Sequence, residues 1–395
     1  MKIAFYCARY KSDKNINPLG IGYLYSYLKY TRHDLKIVEN LRQAKRFNPD
    51  VLCISSVSQV INNAIAFAKE FNCVKILGGY HITCYPKLPS VFDIGVIGEG
   101  EIALYDIIGK LNKGETIKKM VYGQPANLDL LSYPEQKGFS IFTSRGCPYN
   151  CTFCANQAFY KGRVRFRSVD SVMGEIHYLK FRGAKTINIQ DDLWIADKKR
   201  FRKLAKLCEP LKLKFQGFVR SNLIDEETIV LLKKMGYTIV RFGAETGSER
   251  LLKQVKGEGI SIADHQRTID LCKKYDLDCG ASFIFGLPGE TKEDIQLTVD
   301  FLRRNPTLKI RGFYPLNPIP GTKIYDDLGI TEPNFNDYIR DFQNPSFDWN
   351  TFGYWNPTIP RNEFIEIMKP VIKEFTSKNT FLYGIKKIKK CLALN

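Results

Sequence analysis

Between Lys2 and Tyr314 short apolar runs alternate with amphipathic stretches of about ten residues, and this alternation constrains the fold more than any other feature of the chain. Short strands separated by helices imply parallel pairing, because a helical crossover is what returns the chain to the same end of a sheet. In the first third the runs fall at 2–7, 35–38, 51–55, 74–78 and 94–97, with helical patterns at 20–29, 64–71 and 102–111. They predict a doubly wound, flavodoxin-like α/β domain over residues 1–125. Gly114, Gly123, Pro125 and Pro134 break the pattern, so 113–139 reads as a hairpin or extended linker, with the domain boundary at 126–139. A second series follows, with strands at 140–144, 186–190, 214–219, 238–243, 279–285 and 309–314 and helices at 168–181, 198–208, 225–235, 261–274 and 292–303. Several of these helices open on a Ser or Asp able to cap free amides. Six βα units predict a partial (β/α)6 barrel over 140–326, whose chemistry would sit at the carboxyl ends of its strands. Residues 327–395 are irregular and aromatic (Phe347, Trp349, Phe352, Tyr354, Trp355) before a basic helix near 373–390, and read as a mixed C-terminal extension or cap.

The chain is 395 residues long and 44% hydrophobic, which excludes a disordered protein. It contains no apolar run of the roughly 18 residues a membrane span needs, and Met1-Lys2-Ile3 leads directly into a strand, so a cytoplasmic location is expected. Eleven cysteines, an odd number, argue against a disulfide framework and for thiolate or metal chemistry wherever they cluster. The formal charge of +18 would attract polyanions. Because Lys, Asn and Ile are abundant along the whole chain, the excess reads as a solvated basic surface in preference to a nucleic-acid site.

The cysteines do cluster once, in Arg145-Gly-Cys147-Pro-Tyr-Asn-Cys151-Thr-Phe-Cys154, directly after the first strand of the second series. Three thiolates at this spacing can wrap one iron-sulfur cube and leave its fourth iron without a protein ligand. Structural zinc would need a fourth ligand, and no Cys or His lies nearby in sequence.

With this Cys-x3-Cys-x2-Cys loop the chain resembles the radical S-adenosylmethionine superfamily. The resemblance implies a [4Fe-4S] cluster on Cys147, Cys151 and Cys154, whose open iron is chelated by the methionyl amine and carboxylate of S-adenosylmethionine. It further implies reductive cleavage to a 5′-deoxyadenosyl radical and an external reductant such as flavodoxin or ferredoxin. Similar enzymes place cosubstrate contacts at positions matched here by Phe153, by Gln190-Asp191-Asp192 and by Arg220 and Asn222. Further matches are Glu245 within Gly243-Ala-Glu245-Thr-Gly247, and Ile284 and Gly286 within Phe283-Ile-Phe-Gly286-Leu-Pro-Gly-Glu290. A Pro318-Ile-Pro320-Gly321-Thr322 turn after the sixth strand matches relatives with an N-terminal cobalamin-type domain.

Three loops of the first domain, Pro18-Leu-Gly20-Ile-Gly22, Gly78-Gly79-Tyr-His81-Ile-Thr83 and Gly98-Glu99-Gly100-Glu101, together resemble the cobalamin-binding domain of that class. No Asp-x-His-x-x-Gly segment is present, so a lower axial histidine is not indicated; His81 reads equally as a structural loop residue or as a contact to the corrin. The methylthiotransferase arrangement is the rival, with Cys7, Cys53 and Cys84 as ligands of a second cluster. Against it, Cys53 lies inside the apolar run 51–55, where alternation aims it into a sheet-helix layer. The resulting expectation is a cobalamin-dependent radical methyltransferase. Radical cyclisation, oxidation or rearrangement without methyl transfer is the alternative, and a nucleic-acid-associated iron-sulfur protein is the reading from another class. The substrate, small molecule or peptide, is not encoded in these motifs.

Overall fold

The structure is a computed structural model that describes residues 1–9, 18–338, 342–343 and 347–392, with side chains as far as 376. By compactness the chain divides into two units, Met1–Trp194 with Pro318–Asn336, and Ile195–Asn317 with Asp337–Asn395.

In the first unit β1 (Lys2–Cys7), β2 (Asp34–Ile37), β3 (Val51–Ser55), β4 (Val74–Gly78), β5 (Ile94–Ile97) and β6 (Met120–Tyr122) form one sheet in the order β2-β1-β3-β4-β5-β6. Every neighbouring pair is parallel. Alternation along the strands sends Ile3, Phe5, Val51, Cys53 and Ile76 into one core layer and Ala4, Tyr6, Leu52, Ile54 and Leu77 into another. Both faces of the sheet are therefore buried, as parallel strands require. The last strand falls within 113–139, which the sequence reading gave to a hairpin or extended linker. Three residues flanked by Gly114 and Gly123 carry too little periodicity to register as a strand, yet Val121 pairs with Val96 at the sheet edge.

The same unit holds β7 (Ser140–Ile141), β8 (Ser144–Arg145), β9 (Arg165–Phe166) and β10 (Thr186–Ile189). β7 and β10 pair in parallel, whereas β8 and β9 are antiparallel, with Arg145 opposite Arg165. The expected single strand 140–144 is thus broken. At Thr143 the backbone N–H donates to the Asp191 carboxylate at 2.6 Å and not to a ladder partner.

In the second unit β11 (Lys214–Val219), β12 (Tyr237–Glu245), β13 (Asp278–Phe285) and β14 (Lys309–Pro315) are successive parallel neighbours. The intervening helices Glu226–Lys234, Ile262–Lys274 and Lys292–Arg304 begin at Asp225, Ser261 and Thr291, each of which caps a backbone N–H with its side chain. They cover one face of the strands: Phe242 lies 5.2 Å from the His265 ring and Phe283 lies 6.4 Å from Phe301, centroid to centroid. A final helix spans Arg361–Leu392. Its basic and apolar side chains Phe381, Lys386, Lys387, Lys389 and Lys390 lie outside the described residues. Among the described residues no helix is long and apolar enough to cross a membrane.

Candidate active site

Past β8 the chain turns sharply at Gly146, whose φ of +93° lies in the left-handed region and where a Cβ would fall 2.0 Å from the Arg163 carbonyl. Only glycine fits there. The loop that follows carries Cys147, Cys151 and Cys154, all half-buried, with the Cys154 N–H donating to the Cys151 carbonyl at 3.1 Å. Burial pushes the Cys154 thiol up to about 12, and the neighbouring Cys151, Asp192 and Cys147 act in the same direction. The three thiols therefore share one electrostatic environment. An iron-sulfur cube held through three sulfurs suits this donor set, and its iron would have to displace the Cys154 proton. Phe153, beside the last thiol, is half-buried. Behind the loop, the Ile324 N–H donates to the Thr152 carbonyl at 3.0 Å, and a Cβ on Gly321 would sit 2.9 Å from that of Ala158.

The residue that launches the loop is anchored by buried charge. Arg145 reaches Glu99 at 2.7 Å and Glu101 at 2.6 Å, and its guanidinium lies 5.4 Å from the Tyr23 ring centroid. Arg165 binds the other oxygen of Glu99 and donates to the Ala126 carbonyl at 2.7 Å. Arg167 pairs with the fully buried Glu175. Sequence reasoning missed this network, although Arg165-Phe-Arg167 and the acids at 99 and 101 already show the alternation of a strand and of a loop leading into a helix. Within it the Glu99 carboxylate, expected beside a cofactor, is engaged through both oxygens by two arginines.

Gln190, Asp191 and Asp192 follow β10 directly. Asp191 accepts hydrogen bonds from the Thr143 N–H, the Thr143 hydroxyl and the Ser144 hydroxyl at 2.5–2.6 Å, so its carboxylate secures the strand that leads to the cysteines. Asp192 accepts from the Gly146 N–H at 3.1 Å; packing of the loop around its carboxyl raises its pKa, opposed by hydrogen bonds from Asn156 and Gly146.

In the second unit the expected cosubstrate residues stand at the carboxyl ends of β11, β12 and β13. Glu245 is held with φ of +66°, a left-handed conformation costly for a residue with a side chain, at a register shift between β12 and β13. Its carboxylate meets Lys256 Nζ at 3.1 Å, which also donates to the Gly243 carbonyl at 2.5 Å, while Arg220 donates to the Lys256 carbonyl at 3.2 Å. Arg220 and Glu245 are thus brought together through a lysine that the sequence reading did not single out. Asn222 donates to the Gly259 carbonyl at 2.8 Å. The Gly286 N–H, beyond Ile284, donates to Glu290 at 2.6 Å. Glu290 is fully buried, its second oxygen has no partner, and desolvation pushes its pKa up to about 8.

At the carboxyl ends of β4 and β5, the Gly98 N–H donates to the Thr83 hydroxyl at 2.9 Å, which donates in turn to the Gly79 carbonyl at 2.8 Å. Among the described residues, a Cβ on Gly20 or Gly78 would meet nothing within 4 Å. Pro18 and Gly20 start the helix Leu19–Leu28, where Gly22 is a packing residue with no room for a Cβ beside the Glu135 carbonyl. His81 is 1% exposed, lies 3.1 Å from the Ser58 hydroxyl through Nδ1 and packs against Phe335; burial lowers its pKa to about 4. Its imidazole is neutral at physiological pH. Cys53 and Cys84 are buried, their thiols pushed up by desolvation.

Residues 141–302 match the Radical SAM superfamily. Among curated proteins, the chain is 28% identical to an uncharacterized methyltransferase of Pyrococcus horikoshii, over 78% of each chain. It is 25% identical to the bacteriochlorophyllide d C-12(1)-methyltransferase of Chlorobaculum tepidum, over 78% of this chain and 69% of that one. Among solved structures, the radical S-adenosylmethionine methyltransferase TsrM from Kitasatospora setae, with cobalamin and [4Fe-4S] cluster bound, superposes with a TM-score of 0.71 at 16% identity, over 92% of this chain and 87% of that one.

Proposed function

We propose that this chain, which matches the Radical SAM superfamily over residues 141–302, is a radical S-adenosylmethionine enzyme and a cobalamin-dependent methyltransferase acting on an unactivated carbon. The observation that carries the reading is the cysteine loop: three thiols within eight residues, launched from a charge-anchored Arg145 and backed by the 318–336 segment. When bound, the cluster, S-adenosylmethionine and cobalamin would together supply an electron, a carbon-centred radical and a methyl group; a flavodoxin- or ferredoxin-like reductant would deliver the electron. The protein's part is to fix, orient and exclude water.

Cys147, Cys151 and Cys154 would hold the cluster. Asp192 and Gln190 offer acceptors for an ammonium group in the first unit, and Phe153 an apolar surface for a base. In the second unit Arg220, Asn222 and Glu245 offer polar groups at strand ends, and Ile284 and Gly286 offer backbone groups for a base edge. For the corrin, the parallel sheet order β2-β1-β3-β4-β5-β6 supports a flavodoxin-like reading of the first domain, in which ligands are received beyond the carboxyl ends of the strands. Gly20, Gly78, Gly79, Thr83 and Gly98 stand there, and among the described residues a Cβ on two of the glycines would meet nothing within 4 Å.

Anaerobically reconstituted protein should form 5′-deoxyadenosine from S-adenosylmethionine and a reductant, and retain hydroxocobalamin through desalting. A corrin lost on desalting, with 5′-deoxyadenosine still formed, would leave the radical chemistry and remove methyl transfer.

A further inference from the structure

On the face of β12, β13 and β14 opposite the covering helices, two arginines converge over a glycine. Arg241 of β12 is paired in register with Gly280 of β13. Arg311 of β14 is the additional residue at a register shift between Ala281 and Ser282, and this turns its stem toward the same face. A Cβ built on Gly280 would lie 3.0 Å from Arg311 Cδ and 3.1 Å from its Cγ. The absent side chain is what lets the second guanidinium cross the strand between them.

The pair has cationic charge without its complement. Arg241 donates to the Gln216 side chain, its Nε is buried without a hydrogen-bond partner, and burial together with the proximity of Arg311 lowers its pKa. Among the described residues neither arginine forms an ion pair, whereas Lys309 on the same strand as Arg311 is paired with Asp278. Arg311 is exposed and Phe218, of the neighbouring β11, is 47% exposed, so the site is open to a ligand. Holding two like charges together with an unsatisfied donor is unfavourable unless an anion completes the set. Two planar forks with a carboxamide beside them match an oxyanion that accepts several hydrogen bonds at once.

We propose that Arg241 and Arg311, converging over Gly280, bind an oxyanion (a phosphoryl, phosphonyl or carboxyl group) carried by the small-molecule substrate. This rests on the reading of the chain as a radical enzyme and specifies its substrate class as anionic. The group would tether one end of the substrate while the reacting carbon lies elsewhere.

The test is 31P line broadening of inorganic phosphate by the anaerobic holoprotein at fixed chloride, with S-adenosylmethionine affinity measured in parallel. Wild type should bind phosphate saturably, and Arg241→Gln and Arg311→Gln should each weaken it about tenfold, the loss expected for one charge-assisted contact. Arg241→Lys, which keeps the charge and loses the fork, should fall between. Arg202→Gln, an exposed arginine already paired with Glu227, should bind phosphate like wild type. Equal phosphate affinity in all four variants overturns the proposal, as does an S-adenosylmethionine affinity that falls in step with that of phosphate, which would give the pair to the cosubstrate. Since phosphate binding requires no turnover, its outcome is independent of whether wild type forms 5′-deoxyadenosine, which tests the radical reading alone.

Discussion

Arg145 Nη2 and Glu101 Oε1 are 2.6 Å apart, with side chains only 9% and 4% exposed, two residues before the first cysteine of the loop. A charge buried with its partner is held firmly, and one left alone in the same place is costly. Because Arg145 keeps Glu99 as a partner at 2.7 Å, Glu101→Ala should destabilise the first unit by about 2 kcal/mol and lower the iron retained after gel filtration. Adding Arg145→Met should recover part of that stability. The measurement is a double-mutant cycle on urea midpoints, and strict additivity of the two replacements would show that the pair is not coupled.

Replacing Cys147, Cys151 or Cys154 singly by Ala should abolish the cluster, because a cube with only two protein thiolates is poorly retained. Iron and sulfide analysis of anaerobically reconstituted protein reads this directly. Cys53→Ala or Cys84→Ala should leave the iron content unchanged, and a drop to half would revive the second-cluster arrangement.

Glu290 predicts a pH effect. Its folded pKa of about 8 lies above the 4.5 of an unperturbed Glu, so between those values the folded protein binds the extra proton. Stability from this group is complete below pH 4.5 and is lost as pH rises toward 8. Relative to Glu290→Gln, which keeps an acceptor for the Gly286 N–H without the titration, wild type should lose a few kcal/mol across that window, as an order of magnitude. Denaturation midpoints that run parallel for the two proteins from pH 5 to 8 would show that Glu290 is ionised throughout.

Lys256 and Glu245 form the corresponding buried pair of the second unit. Lys256→Met should leave the left-handed Glu245 as an unpaired carboxylate, cost about 3 kcal/mol and weaken S-adenosylmethionine binding. Glu245→Ala should weaken that binding without loss of iron. Equilibrium dialysis against S-adenosylmethionine checks both, and unchanged affinity in the alanine variant contradicts the assignment of Glu245.

What the sequence made legible was local. Strands β1, β3, β4, β5 and β11 fall where the apolar runs lie, and Ser261 and Thr291 cap helices as side chains of their type do. The cysteine spacing named its own chemistry. What stayed hidden depended on residues far apart in the chain. Glu99 looked like a cofactor contact because its loop is glycine-rich; only in three dimensions do Arg145 and Arg165 claim both of its oxygens. Asp191 looked like an ammonium acceptor because it ends a strand, but Thr143 and Ser144 lie close enough to donate three hydrogen bonds to its carboxylate. Lys256 carried no local signal, since its partner is eleven positions earlier and across a turn.

The strap that backs the cysteine loop comes from Pro318–Asn336, some 170 residues after the thiols it supports. On the ribosome, Cys147, Cys151 and Cys154 emerge well before Gly321 and Ile324 are made, so the nascent chain would expose three oxidisable sulfurs with no backbone behind them. Maturation would then favour iron delivery after synthesis, to a chain already released, and a truncation at residue 317 would leave ligands without a finished cradle.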